Sequence, residues 1–195
     1  MSFAKNKYQV IRQAIPKDLA NFVMNYFLLQ QDAVAYMLKN NIINKHNPLI
    51  GNWEDEQVPN AYSKYGDWVM ETLLQYVRPI MKEKTKLDLI PPYSYARIYN
   101  KGNILKKHKD RPSCEISTTL NLGGNHWSIY LEGIKVDLQQ GDMLIYSGCE
   151  LEHWREPFEG DFCVQVFLHY NHANGKFGKE NLFDKRPILG IPKNG

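Results

Sequence analysis

The sequence predicts an α+β domain that is mainly β, in which N-terminal helices pack on an antiparallel sandwich or jelly roll. Two observations predict this class. Apolar residues recur at helical spacing in the first part of the chain, and after Pro91-Pro92 the pattern changes to short alternating segments separated by turn residues. Helices followed by a run of strands do not show the regular alternation of a βαβ fold.

Two helices are predicted before residue 90. The first follows the start signals Pro16 and Asp18, and its apolar positions are Leu19, Phe22, Val23, Tyr26, Phe27, Leu29, Val34 and Leu38. The second has apolar positions at Tyr65, Val69, Leu73, Tyr76, Val77 and Ile80 and is expected to bend at Pro79. These helices form the predicted support region, residues 1–90, of a single domain that spans 1–195.

Short strands fill the predicted β core, residues 91–175. They are expected at Tyr93–Tyr99, at Ser113–Leu122, on both sides of a hairpin turn at Glu132-Gly133, at Met143–Tyr146 and at Phe162–His169. In the last strand, Phe162, Val164, Val166 and Leu168 form an apolar face opposite Cys163, Gln165, Phe167 and His169. Residues 176–195 are predicted to form a C-terminal extension.

Composition excludes several classes of protein and partner. The 195 residues are 43% hydrophobic and 23% charged, which fits a globular domain, and a net charge of +3 is too small to indicate a nucleic-acid partner. The cysteines Cys114, Cys149 and Cys163 form neither a disulfide framework nor a CxxC site, so we expect a reducing, cytoplasmic environment. The apolar stretch 19–29 is too short to cross a bilayer, and no membrane partner is expected.

Three residues form the most informative chemical pattern. In an extended segment, side chains two residues apart point the same way, so His108 and Asp110 can both face one point. His153 lies beyond further strands, and a jelly roll can bring it to the same place. Two histidines and one carboxylate are the facial triad of non-haem iron sites, whereas structural zinc sites and HExxH hydrolases have other patterns. The plainer alternative is that His108 and Asp110 are a surface pair at a turn.

The residues around this triad resemble a known family. The segment Tyr95–Tyr99 with Gly102, the His108-Lys-Asp110 motif, the strand Gly141–Tyr146, and His153 with Pro157 and Gly160 occur in the order found in Fe(II)- and 2-oxoglutarate-dependent dioxygenases. The resemblance is to the prolyl-4-hydroxylase-like branch, in a microbial or phage-type subgroup, and covers residues 93–170. It implies a double-stranded β-helix, which is a cupin-like jelly roll, flanked by helices.

The resemblance also implies cofactors and site residues. His108, Asp110 and His153 would bind Fe(II), and 2-oxoglutarate would chelate the metal. The family usually has a basic residue nine or ten positions after the distal histidine, where this chain has Phe162 and Cys163. Arg155 is the replacement that we expect for the far carboxylate, because its guanidinium suits bidentate binding, although it could instead pair with Glu152 or Glu156. Weaker candidates for binding 2-oxoglutarate are Tyr99, which is otherwise a core aromatic, Thr119 and Gln165.

The implied reaction is oxidation of a prime substrate by O₂, in which 2-oxoglutarate is converted to succinate and CO₂ and the substrate is hydroxylated. A small-molecule or peptidyl substrate is expected, with prolyl residues as the guess by analogy, since fold does not determine substrate. Two alternatives remain open: a cupin-like metal-binding sensor without turnover, and a divalent-metal isomerase or hydrolase on the same barrel. The basic run Lys106, Lys107, Lys109 and Arg111 is expected to be solvated loop charge.

Overall fold

A computed structural model describes residues 2–193, so residues 194–195 of the predicted extension lie outside the described residues. The helices are α1 (Phe3–Asn6), α2 (Lys17–Lys39) and α3 (Trp68–Thr85), and 3₁₀ turns lie at Pro112–Cys114 and Leu182–Lys185. The strands are β1 (Tyr8–Ile11), β2 (Tyr62–Tyr65), β3 (Leu89–Ile90), β4 (Ser94–Asn100), β5 (Leu105–His108), β6 (Ile116–Gly124), β7 (Ile129–Leu131), β8 (Ile134–Val136), β9 (Met143–Ser147), β10 (His153–Arg155) and β11 (Phe162–His172).

Two antiparallel sheets make the core of the molecule. The larger has the order β1-β9-β6-β11-β4-β2, with β3 paired to the end of β11, and the smaller has the order β5-β10-β7-β8. Side chains from both sheets meet between them, as when Ile129 and Leu131 of the small sheet pack with Leu144 and Tyr146 of the large one. This is a jelly roll, and the fold class predicted from the sequence is confirmed.

Alternation along β11 separates the two faces of the large sheet. Val164, Val166 and Leu168 belong to the core shared with the helices, whereas Cys163 and Phe167 face the interior between the sheets. Helix α2 packs on β6, and α3 packs on β4 and β11. The predicted two-faced last strand is therefore confirmed, and the helices cover the outer face of the large sheet.

The structure corrects several predicted boundaries. Residues 1–90 are not only helical, because β1 pairs with β9 and β2 pairs with β4 in the large sheet. Helix α3 does not begin at Tyr65, which ends β2, but after Asp67, whose side chain accepts hydrogen bonds from the amides of the first turn. The helix then continues through Pro79.

Two other expectations have a clear outcome in the β core. The strand predicted from Ser113 starts only at Ile116, because Pro112–Cys114 form a 3₁₀ turn. The hairpin at Glu132-Gly133 is confirmed: it joins β7 to β8, and both residues have positive φ, 48° and 81°, as a type I′ turn requires. No helix in the part of the chain that the structure describes is both long and apolar enough to cross a membrane.

A buried ion pair attaches the C-terminal segment to α3. Arg186 and Glu71 are 6% and 3% exposed, and Arg186 Nη2 donates to Glu71 Oε1 over 2.6 Å. Arg186 also donates to the carbonyls of Phe183, Ile191 and Pro92, and Glu71 accepts from the amide of Gly190. The polar groups of the pair are thus well satisfied by backbone partners as well as by each other.

We expect Arg186→Met to lower the free energy of unfolding by about 3–5 kcal/mol, because it leaves the Glu71 carboxylate buried without its cation. Urea unfolding followed by circular dichroism measures this change. The double variant Glu71→Leu with Arg186→Met is expected to recover part of the loss, since it removes the unpaired charge. A double variant that is less stable by the sum of both single changes would contradict this account.

Candidate metal centre

Strand pairing places the two predicted histidine ligands side by side. His108 ends β5 and His153 begins β10, and the two residues are directly opposite each other in the antiparallel register. Their ring centroids are 4.2 Å apart. His153 is almost fully buried, at 2% exposed, and the ring of Tyr146 contacts it edge-on at 4.8 Å. The small sheet therefore presents both rings to one point between the sheets.

Asp110 completes this group from the loop after β5. Its Oδ1 lies 3.7 Å from His108 Nε2 and 3.5 Å from His153 Nε2. The amide of Asp110 donates to the carbonyl of Gly148 over 2.9 Å, which fixes the loop against the end of β9. Gly148 is required for this approach, because a Cβ there would lie 2.3 Å from Asp110 Oδ2. The three predicted ligands offer one atom each within 4.8 Å of one another.

Both histidines donate from Nδ1 to the backbone carbonyl two residues earlier in the chain. His108 Nδ1 lies 2.8 Å from the carbonyl oxygen of Lys106, and His153 Nδ1 lies 3.0 Å from that of Leu151. Because a carbonyl oxygen can only accept, each Nδ1 carries a proton, and in the neutral ring the lone pair lies on Nε2. These lone pairs and the carboxylate oxygen are the donor set of a 2-His-1-carboxylate metal site.

Neighbouring groups set the protonation state of the site. Burial and the nearby His153 lower the pKa of His108 below its ordinary value of 6.5. Burial alone would raise the pKa of Asp110, but the contact with His153 and a 2.8 Å hydrogen bond from the Ser117 hydroxyl lower it. At neutral pH the site therefore holds a neutral His108 imidazole and an ionised Asp110 carboxylate, which are the forms that bind a divalent metal.

A cavity of about 390 Å³ adjoins these ligands. Aromatic, charged and apolar side chains line it: Asp55, Gln57, Tyr65, Tyr93, Tyr95, Arg97, Tyr99, Leu105, His108, Lys109, Asp110, Arg111, Cys114, Ile129, Tyr146, His153, Phe167 and His169. Its volume is in the range of small-molecule sites. The cavity combines a metal-ligand set with both apolar and ionic walls.

The four residues predicted to bind 2-oxoglutarate lie close together. Arg155 Nη2 lies 3.4 Å from Thr119 Oγ1, and Thr119 Oγ1 donates to Gln165 Oε1 over 3.0 Å. Both the guanidinium of Arg155 and the ring of Tyr99 contact the ring of Trp127, at 5.0 and 4.8 Å. The four predicted side chains thus belong to one buried cluster.

Arg155 is a buried cation without an anionic partner among the described residues. It is 1% exposed, its Nη1 donates to the carbonyl of Trp127 over 2.5 Å, and its Nε has no hydrogen-bond acceptor. The alternative that Arg155 pairs with Glu152 or Glu156 at the surface is wrong, since the side chain points inward. Burial lowers the pKa of Arg155 because nothing nearby compensates its charge fully.

Several site residues were missed by sequence reasoning. Arg97 forms hydrogen bonds with the loop residues Asp55 and Gln57 next to the triad. His169 is also part of the site, and its Nδ1 lies 3.0 Å from Ser117 Oγ. Alternation in β4 was a signal for Arg97, since Tyr95, Arg97 and Tyr99 share the inner face. No sequence signal pointed to the loop.

The sequence predicted that the basic run next to the triad would be solvated, but one of its residues is not. Arg111 makes two 3.0 Å hydrogen bonds to the buried Asp184, and its guanidinium lies 4.7 Å from the ring of Tyr93. Lys107 lies over Trp154, whereas Lys109 is exposed at the border of the cavity. Arg111 is therefore a structural part of the cavity wall.

Known proteins resemble this chain in structure but not measurably in sequence. No protein-family model and no curated protein sequence matches it. A prolyl-4-hydroxylase from Pseudomonas putida superposes with a TM-score of 0.59 at 14% identity, over 87% of this chain and 95% of that chain. HygX from Streptomyces hygroscopicus, solved with nickel and 2-oxoglutarate bound, gives 0.60 at 10% identity, over 90% and 86%.

Another similar structure shows a different reaction. The α-ketoglutarate-dependent epimerase SnoN from nogalamycin biosynthesis superposes with a TM-score of 0.66 at 10% identity, over 99% of this chain and 93% of that chain. Identities this low show the fold alone. They support the resemblance seen in the sequence, and the chain has the jelly-roll fold of the 2-oxoglutarate- and Fe(II)-dependent oxygenases.

We expect Ser117→Ala to weaken Co(II) binding by about 10- to 100-fold, because Asp110 loses the hydrogen bond that orients it. Titration of the visible cobalt absorption measures the affinity. Ser128→Ala is the matched control, since the Ser128 hydroxyl bonds only the exposed His126 and Asp137. Equal affinities for the Ser117 variant and the wild type would show that Asp110 needs no such support.

We also expect the Co(II) affinity to be constant at and above neutral pH and to fall in acid. The pKa of His108 is lowered, so protons compete with the metal only when the pH drops below the ordinary histidine value of 6.5. The same cobalt titration at a series of pH values tests this. A loss of affinity that begins above neutral pH would contradict the assigned neutral imidazole of His108.

Proposed function

We propose that the protein is an Fe(II)- and 2-oxoglutarate-dependent oxygenase. One observation carries the proposal: the ligand atoms of His108, Asp110 and His153 lie within 4.8 Å of one another, and Arg155, on the same strand as His153, is buried without an anionic partner among the described residues. The first feature fits a divalent metal with open positions, and the second fits an organic anion. A metal with open positions and a dicarboxylate beside it are the two components that this chemistry needs.

The donor set suits iron better than a structural zinc ion. It contains no thiolate, since Cys114 Sγ bonds the hydroxyl of Tyr93 and burial raises the pKa of its thiol. His108, Asp110 and His153 would hold Fe(II) on one face. When bound, the metal and 2-oxoglutarate together supply the activation of O₂ and the oxidising equivalents for the substrate.

Arg155 is the residue that we assign to the far carboxylate of 2-oxoglutarate. A buried guanidinium without an anion is costly, and a carboxylate at this place would offset that cost. Thr119 and Tyr99 offer hydroxyl groups in the same cluster, and Gln165 holds the Thr119 hydroxyl. The small Cys163 stands opposite Tyr99 in the β4–β11 register, where a longer basic side chain is absent.

The proposed reaction assigns roles to the metal ligands and to the residues that line the cavity. Asp110 and His108 would bind the metal without releasing protons, because they are in the ligating state at neutral pH, and His153 would supply the third ligand. Tyr146, Ile129 and Leu105 line the cavity beside the triad and exclude water from it. The proposed reaction is hydroxylation, as in the prolyl hydroxylases that share the fold, although an epimerase and a carbocyclase share it too. No protein general base is required for it.

The experiment that tests the proposal has two readouts. Anaerobic addition of 2-oxoglutarate to the Fe(II) protein should produce a metal-to-ligand absorption band, and O₂ should then yield succinate even without a prime substrate, at a low rate. His108→Ala should abolish both. Metal binding without the band would support a zinc- or manganese-dependent isomerase or hydrolase, and the band without succinate under any substrate would support a sensor.

We expect Arg155→Met to raise the dissociation constant for 2-oxoglutarate by about 10- to 100-fold, the loss expected for hydrogen bonds to a charged group. The same change should leave the melting temperature of the metal-free protein unchanged or higher, because it removes an uncompensated buried charge. Lys107→Met, at an exposed cation, is the matched control for both measurements. A destabilised Arg155→Met protein with normal 2-oxoglutarate affinity would show that Arg155 is structural.

A further inference from the structure

A second buried arginine lies in the wall of the cavity next to the metal ligands. Arg97 is 2% exposed and projects from β4 into the cavity between the rings of Tyr95 and Tyr99, which lie 5.2 and 5.4 Å from its guanidinium carbon. Its Nη2 donates to Asp55 Oδ2 over 2.5 Å, and its Nη1 lies 3.3 Å from the Tyr99 hydroxyl. Its Nε is buried and has no acceptor.

One side chain, Gln57, joins Arg97 to the metal site. Its Oε1 accepts from both Nη1 and Nη2 of Arg97, each at 3.2 Å. Its Nε2 lies 3.1 Å from His108 Nε2. Because His108 Nδ1 carries the ring proton, Gln57 donates to the Nε2 lone pair. A single carboxamide therefore spans the gap between a metal ligand and a guanidinium.

This arrangement has two consequences for ligand binding. An oxygen placed equally between Nη1 and Nη2 occupies the fork that a carboxylate takes when it binds arginine in bidentate fashion. A metal on His108 Nε2 would use the lone pair that Gln57 now occupies, so Gln57 would lose one of its two bonds. Metal binding would therefore weaken the hydrogen bonds between Gln57 and the Arg97 guanidinium. It would favour the replacement of the Gln57 oxygen by a charged oxygen.

The charges around the fork limit what can replace Gln57. Asp55 accepts from the Tyr95 hydroxyl as well as from Arg97, and it lies in the cavity wall. Its carboxylate would repel a second negative group on a ligand and attract an ammonium group. The wall thus offers one cation and one anion side by side, which is the complement of a zwitterion.

The loop that carries these residues is fastened across the cavity. Asn52 exchanges backbone hydrogen bonds with Ser63, and the carbonyls of Pro59 and Asn60 accept from the side chains of Asn103 and Asn100. The cavity of about 390 Å³ has the size of a small-molecule site, and the loop residues Asp55 and Gln57 form part of its wall.

We propose that Arg97 determines substrate specificity by binding the carboxylate of the prime substrate, and that this substrate is a small zwitterion of the free α-amino acid class whose ammonium group faces Asp55. The short span of Gln57 places the carbon to be oxidised within a few bonds of that carboxylate. The inference rests on the proposed oxygenase function, in which Arg155, two residues after His153 on β10, binds the co-substrate.

The test measures binding without turnover. The protein is loaded anaerobically with Mn(II) and N-oxalylglycine, an inert analogue of 2-oxoglutarate, and the 20 common L-amino acids are added one at a time in a calorimeter. At least one is expected to bind. Its carboxamide and its N-acetyl derivative are then compared with it on the wild-type protein, and each should bind about 10- to 100-fold more weakly, since each removes one charged contact.

Variants of the two charged residues provide the second comparison. For the amino acid that binds, Arg97→Gln is expected to raise the dissociation constant about 10- to 100-fold and Arg97→Lys less, because lysine keeps the charge but not the fork. Asp55→Asn should remove the difference between the amino acid and its N-acetyl derivative. Lys101→Gln, at an exposed cation outside the cavity lining, should leave the dissociation constant within about 2-fold.

The outcomes separate this inference from the proposed function. If N-oxalylglycine does not bind the Mn(II) protein, the oxygenase assignment fails. If N-oxalylglycine binds but no amino acid does, or if the carboxamide binds as well as the parent amino acid, the assignment of Arg97 is overturned while the oxygenase stands. If Arg97→Gln instead loses affinity for N-oxalylglycine, Arg97 belongs to the co-substrate site and the inference is likewise wrong.

Discussion

The pairing of β5 with β10 is the constraint on which the rest of the site depends. These two short strands put His108 opposite His153, and the carbonyls of Lys106 in β5 and of Leu151, just before β10, hold both Nδ1 protons. Asp110 has only to turn back after β5 to complete the donor set. Everything else in the molecule can be understood as support for this pair of strands: the large sheet behind it, the helices behind that sheet, and the C-terminal segment that Arg186 attaches to α3.

The two buried arginines of the interior differ in whether an anion compensates their charge. Arg97 is balanced by Asp55, so its charge is already compensated in the free protein and is available for exchange with another anion. Arg155 has no such partner among the described residues and relies on backbone carbonyl and hydroxyl groups alone. A compensated cation and an uncompensated one can distinguish two anions: the uncompensated Arg155 gains more from any carboxylate, and the compensated Arg97 selects by geometry.

The parts of this structure that follow from periodicity and spacing were predictable, and those that depend on loops were not. Alternation in Phe162–His169 predicted that this strand has two distinct faces, and the pattern of His108, Asp110 and His153 predicted that these three side chains lie together. Arg155 followed from strand alternation, since residues two apart on β10 share a face. Gln57 could not be predicted, because its position depends on how a loop without periodicity crosses the cavity. Strands as short as β1 and β2 were missed because four residues carry too little alternation to be distinguished from loop.

Gly148 shows how a residue can be essential to a site without contributing an atom to it. Its backbone carbonyl accepts from the Asp110 amide, and the space that its missing side chain leaves is filled by the Asp110 carboxylate. Even the smallest side chain there would collide with that carboxylate and with the carbonyl of Cys114. In a scan of all single substitutions, position 148 would be as intolerant as the histidines, and a map of tolerance alone would count four residues in a centre that has three.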